Sequence, residues 1–214
     1  MAGRHAEALR GYLWFHRNAL KYRQSLYGVR LSFALSYWME LGKVYPEALR
    51  ALKRVRNQKS SALRSGRGDR DTFHDVASIN HYLGKESDTC RLFKKLHLTR
   101  PRLAAACAQL AIPALVHSRD FKLARTYVPD PESLLSRNAE MFADGVRRAA
   151  GKPRALRAAS REAHLRIYCK DVELLTSILR GVGERRKAAE IRARALTLVE
   201  PAGLRRAVAS RLSR

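Results

Sequence analysis

His74, Asp75, Ser78 and His81 fall close together in the segment FHDVASINHY. A histidine beside a carboxylate and near a serine is the raw material of hydrolysis, in which the acid orients the imidazole and the imidazole takes the hydroxyl proton. On a helix, adjacent residues point about 100° apart, so Asp75 is poorly placed to orient His74. His74 and His81 lie two turns apart, roughly 10 Å along the axis. One metal ion, with ligand nitrogens at about 2 Å, does not reach both. Cys90, Cys107 and Cys169 include no pair at two-residue spacing and form neither a disulfide framework nor a zinc ribbon. No GxSxG elbow, HExxH helix or phosphate-cradling glycine loop occurs, and Gly66-Arg67-Gly68 lacks the flanking strand and helix of such a loop. The reading is a protein without catalytic residues, metal or cofactor.

The other residues with chemical potential are basic. The 214-residue chain has 43 Lys and Arg against 19 Asp and Glu, a formal net charge of +24, and Arg outnumbers Lys 32 to 11. Such an excess steers any polyanion toward the chain at low salt. An Arg-rich, Ala-rich composition also arises from coding bias, and composition does not separate the two sources. Two clusters stand out. Arg50, Lys53, Arg54, Arg56 and Lys59 coat the exposed side of one helix. Arg147, Arg148, Lys152, Arg154, Arg157, Arg161 and Arg166 face the single acid Glu162, with Arg154, Arg157 and Arg161 on one helical stripe. Such stripes can neutralise phosphates, but only Tyr168 is near to stack on a base, which argues against sequence-specific single-strand reading.

The elements carrying these residues are helical. Leu9, Tyr12, Leu13, Ala19 and Leu20 recur at helical spacing, with Gly28 marking that helix's end. Leu31, Ala34, Leu35, Trp38 and Leu41 line a second helix closed by Gly42, and Pro46 opens a third that runs to about Lys59. Residues 60–71 read as a flexible polar connector. Helices follow from a Thr72 cap to Leu83, from Glu86 to His97, from Leu103 to His117 with a kink at Pro113, and from Phe121 to Tyr127. The rest run from Pro131 or Ser133 to Arg148, from Arg154 to Tyr168, from Asp171 to Leu179 and from Glu184 to Leu198. Residues 202–214 read as a capping helix or tail, with Leu204, Val208 and Leu212 on one face; a membrane-surface role is disfavoured by the lack of aromatic anchors. No alternating β-branched run competes, and Trp14, Phe15, Trp38, Phe73 and Phe93 read as packing residues. The most apolar stretch, Leu103 to Val116, is 14 residues long, against the roughly 20 that span a bilayer. Charges at Arg4, Glu7 and Arg10 interrupt any export signal. Cytoplasmic location without membrane association is therefore expected.

The turns at Gly42, Gly84, Arg119 and Gly183 are spaced by 42, 35 and 64 residues, the last about twice a two-helix unit. Around Gly84 stand Ala77, Thr89, Phe93, Leu96 and Pro101, and around Gly183 Thr176, Ala188, Arg192, Ala195 and Pro201. Leu35, Ala48, Leu52 and Val55 around Gly42, and Ile112, Phe121 and Ala124 around Arg119, follow the pattern less closely. Over residues 29 to 201 the chain resembles the tetratricopeptide-repeat family. The resemblance implies an all-α fold over 1–214: stacked antiparallel helix pairs forming a right-handed α-solenoid with a C-terminal cap helix. It further implies a concave groove lined by the first helix of each pair, at Ser32, Ser36, Glu40, His74, Ser78, His81, Gln109, His117, Glu173, Ser177 and Arg180. The function expected is a scaffold that binds a peptide or protein in that groove. The alternative is non-specific RNA or DNA binding through Arg50, Lys53, Arg54 and the cluster from Arg147 to Arg161.

Overall fold

The computed structural model describes residues 2–213, and no strand occurs among them. The helices are α1 (Ala2–Tyr22), α2 (Tyr27–Leu31), α3 (Phe33–Val44), α4 (Pro46–Arg64), α5 (Arg70–Tyr82), α6 (Glu86–Thr99), α7 (Pro101–His117), α8 (Phe121–Thr126), α9 (Pro131–Ala150), α10 (Arg154–Gly181), α11 (Arg185–Thr197) and α12 (Ala202–Leu212). A 3-10 turn, Gln24–Leu26, precedes α2. Where the sequence reading takes the chain as one repeat domain, its contacts group it into two compact units, residues 1–114 and 115–214.

In the first unit, α3 and α4 are joined by Tyr45 alone and pack along each other, and α5 packs on α4 and α6. Leu9, Leu35, Trp38, Ala48, Leu52 and Ile79 share one core. The Trp38 indole N–H, fully buried, donates to the Ala48 carbonyl at 2.9 Å, which lets a large ring enter without stranding its donor. Burying such a side chain contributes about 2–3 kcal/mol. Phe73 and Phe93 meet edge to face at 6.0 Å and join α5 to α6. Gly42 does not close α3; it lies inside it, where a Cβ would stand 3.2 Å from the Leu49 Cβ. Glycine here serves close helix approach, not reversal. Gly28 likewise sits within α2, after α1 has already ended at Tyr22.

The expected connector 60–71 shrinks to residues 65–69. Ser60 and Leu63 are buried on α4, and α5 begins at Arg70, capped by Asp69 rather than Thr72. The Asp69 carboxylate accepts from the Thr72 amide at 2.8 Å and from its hydroxyl at 2.6 Å.

In the second unit, α8, α9, α11 and α12 all pack on α10. The two helices expected over 154–168 and 171–179 are one helix, because no glycine or proline interrupts the run before Gly181. Tyr168 fixes the centre: its ring stacks on Phe142 of α9 at 5.0 Å and its buried hydroxyl donates to the Ala195 carbonyl of α11 at 2.8 Å. Gly181 lets α10 pass against Phe121, where a Cβ would overlap the ring at 2.1 Å. Val208 and Leu212 of α12 are buried, as expected of a helix that covers an apolar edge.

Four reversals share one geometry. Gly66, Gly84, Arg119 and Gly183 have φ of +85°, +63°, +57° and +89°. In each, the following amide donates to the carbonyl five residues back: Arg67 to Ala62 at 2.9 Å, Lys85 to Asn80 at 2.8 Å, Asp120 to Leu115 at 2.9 Å and Glu184 to Leu179 at 2.8 Å. These bonds satisfy carbonyls that a helix end leaves without an intrahelical partner.

Candidate functional site

The most deeply buried charges lie in the first unit. Arg30 on α2 and Asp75 on α5 are 4% and 3% exposed. Both guanidinium ends of Arg30 donate to the Asp75 carboxylate, one of them at 3.1 Å, and the Lys59 ammonium of α4 adds a contact at 2.6 Å. His16 of α1 sits beside this pair, its ring 3.4 Å from Arg30 and 3.8 Å from Asp75. Burial would raise the Asp75 pKa, but the bonds from Arg30 and Lys59 outweigh it and hold the carboxyl below its ordinary value. Burial, reinforced by the cations around it, lowers His16 to about 4, so this ring stays neutral at pH 7. Asp75 is thus consumed in tying four helices together. His74, its neighbour in sequence, points to another partner, the Tyr27 hydroxyl at 2.9 Å. That hydroxyl also reaches Asp71 at 3.1 Å, and burial with this bond pushes the Tyr27 pKa up to about 12.

A second feature of this unit is apolar and open. Tyr12 and Phe15 of α1, Val29 of α2, and Phe33 and Tyr37 of α3 line a hollow of about 440 Å³. Phe33 is 65% and Tyr37 60% exposed. Trp14, expected in the core, is instead exposed and leans on Tyr22 with ring centres 5.6 Å apart. Trp38, Phe73 and Phe93 are buried.

The residues of the expected groove are only partly brought together. Ser32, at the α2–α3 junction, donates to the Gly28 carbonyl at 2.7 Å. Ser36 and Ser78 are half-buried, whereas Glu40, Gln109 and His117 are exposed. Glu40 pairs with Lys43 at 2.7 Å, and His81 with Glu86 at 3.1 Å. In the second unit Glu173, Ser177 and Arg180 do meet, around a hollow that Arg192 and Leu212 complete.

Of the basic residues, Arg50, Lys53 and Arg54 are exposed, with Arg50 and Arg54 both held on Glu47 at 2.8 and 2.6 Å. Arg56 and Lys59 do not share that exposed side: Arg56 turns to Asp88 at 3.0 Å and Lys59 to Asp75. In the second unit Arg147, Arg148, Lys152, Arg154, Arg157 and Arg161 are all exposed, as is every residue from 150 to 159. Arg147 pairs with Asp144, and the Arg157 guanidinium donates to the Lys152 carbonyl at 2.7 Å. All three cysteines are buried, and burial pushes the Cys107 and Cys169 thiols up to about 11.

No protein-family model matches the chain, and no curated protein or solved structure matches it either. No helix among the described residues is long and apolar enough to cross a membrane.

Proposed function

We propose that this protein is a cytoplasmic helical binding module that takes an apolar, helix-forming segment of another protein on the face made by α1, α2 and α3. The observation that carries this reading is the exposed row of Phe33, Tyr37 and Val29 beside Phe15 and Tyr12. Contiguous apolar patches rimmed by polar residues mark interaction sites. Phe33 and Tyr37 stand one turn apart, the spacing with which a groove receives a helix presenting its own anchors at three and four. The net charge of +24 selects for a segment with acidic flanks. The pairs α3–α4 and α5–α6 fit a tetratricopeptide-like reading in which antiparallel pairs stack as a right-handed solenoid.

Affinity capture from a lysate at moderate salt, with nuclease present, tests the reading. Wild-type protein retains a polypeptide, and Phe33→Ser with Tyr37→Ser cuts its recovery by tenfold or more, while Ser78→Arg with Gln109→Arg leaves it in place. An unchanged retained set with the first variant overturns the α1–α3 site; loss with the second alone moves the partner to the concave residues.

A polyanion-binding reading is favoured by one observation in the second unit. The start of α10 and the segment before it are exposed on all sides and carry Lys152, Arg154, Arg157 and Arg161, continuing Arg147 and Arg148 of α9. A cationic corner with so little cover can lie along a phosphate backbone.

A further inference from the structure

A third hollow, in the first unit, differs from both surfaces above. Its α4 wall presents Arg56, Ser60 and Arg64 at four-residue steps, and its α6 wall presents Asp88, Arg91 and Lys95. It encloses about 410 Å³, within the range of about 300–1,000 Å³ for small-molecule sites. Four cations face one carboxylate. Asp88 is shared by Arg56, at 3.0 Å, and Arg91. Arg64 and Lys95 pair with no carboxylate among the described residues, so positive charge is left unspent at the hollow's edge.

The floor is built, not incidental. Asn80, 1% exposed at the end of α5, accepts from Arg56 at 2.9 Å while its amide donates to the Thr89 hydroxyl at 3.0 Å. This buried bridge fixes the direction of the Arg56 guanidinium. Ser60, 8% exposed, lines the same hollow, and its hydroxyl has no hydrogen-bond partner among the described residues. That hydroxyl is not sealed from solvent, so a ligand oxygen entering the hollow can reach it. Guanidinium forks match the geometry of phosphate oxygens. The lining holds no aromatic side chain, and Leu92 is its one large apolar residue, so nothing in it reads a nucleobase.

We infer that the hollow between α4 and α6 binds a compact phosphorylated ligand with at least two ionised groups, for which inorganic pyrophosphate is the simplest probe. Arg56, fixed by Asn80, and Arg91 grip the inner group; Arg64 and Lys95 hold the outer one; the Ser60 hydroxyl donates to an oxygen between them. This site is independent of the helix-docking face.

Calorimetric titration of the full chain with pyrophosphate at constant ionic strength tests it. The expected result is saturable one-to-one binding, weakened at least tenfold by Arg64→Ala with Lys95→Ala, which touches only exposed side chains. Ser60→Ala weakens it severalfold. Arg154→Ala with Arg157→Ala and Arg161→Ala removes more charge from the other unit and changes the affinity less than twofold. Adenosine diphosphate binds within a fewfold of pyrophosphate. Absence of saturable binding, or equal losses in the two charge-removal variants, overturns the site. So does tighter binding of a single-stranded oligonucleotide that displaces pyrophosphate and is itself lost with Arg64→Ala and Lys95→Ala, because the hollow then holds a nucleic-acid backbone.

Discussion

His16 couples the buried charge cluster to pH. Its folded pKa of about 4 lies below the ordinary 6.5, so between these values the unfolded chain binds a proton that the folded chain refuses. Stability therefore rises with pH through this window and is lost on acidification, by about 3 kcal/mol between pH 7 and pH 4. Asp75, held below its ordinary value, adds a loss of the same sign at still lower pH. Urea unfolding at a series of pH values measures the slope, and His16→Leu reduces it over pH 4 to 6.5; equal slopes in the two proteins contradict the assignment. Some of this was legible beforehand: the angular rule for neighbours on a helix already separates His74 from Asp75. The burial of Arg30 was not, since a lone arginine in YGVRLSF has the same local signature as an exposed one. Nor did helical spacing separate exposed Trp14 from the packing aromatics, because which flank of α1 is covered depends on where its neighbouring helices lie.

At the scale of the elements, the left-handed turns separate what glycine is needed for. Gly66, Gly84 and Gly183 meet the turn without strain, whereas Arg119 adopts the same conformation with a side chain. A left-handed non-glycine residue costs about 1–2 kcal/mol, partly offset by the freedom glycine adds to the unfolded chain. Arg119→Gly is expected to stabilise the protein by about 0.5–1 kcal/mol and Gly183→Ala to destabilise it by about 1 kcal/mol, read as opposite shifts in thermal midpoint. The helical class, the reversals at residues 84, 119 and 183 and the apolar face of the last helix could all be read from residue types, because each has a local cause. Gly42 misled because a helix-packing glycine and a turn glycine are the same letter. The polar run from Ser60 hid a continuing helix whose Ser60 and Leu63 are covered by tertiary packing. At Lys170 and Asp171 no breaker residue stands, and α10 runs straight through.

At the scale of the whole molecule, charge dominates. With a net charge of +24, binding to any nucleic acid is expected to weaken steeply with salt. If the exposed corner from Arg147 to Arg161 makes the contacts, Arg154→Glu with Arg157→Glu and Arg161→Glu lowers the slope of log affinity against log salt by about 2–3, since each phosphate contact contributes about 0.7–0.9. Filter binding from low to moderate salt measures this, and an unchanged slope rules out the corner. The burial of Cys90, Cys107 and Cys169 has a practical consequence of its own. With every native thiol shielded from solvent, a single cysteine introduced at exposed Leu98 gives a maleimide dye one site to take, and fluorescence can then watch a chosen place on an otherwise unaltered polypeptide.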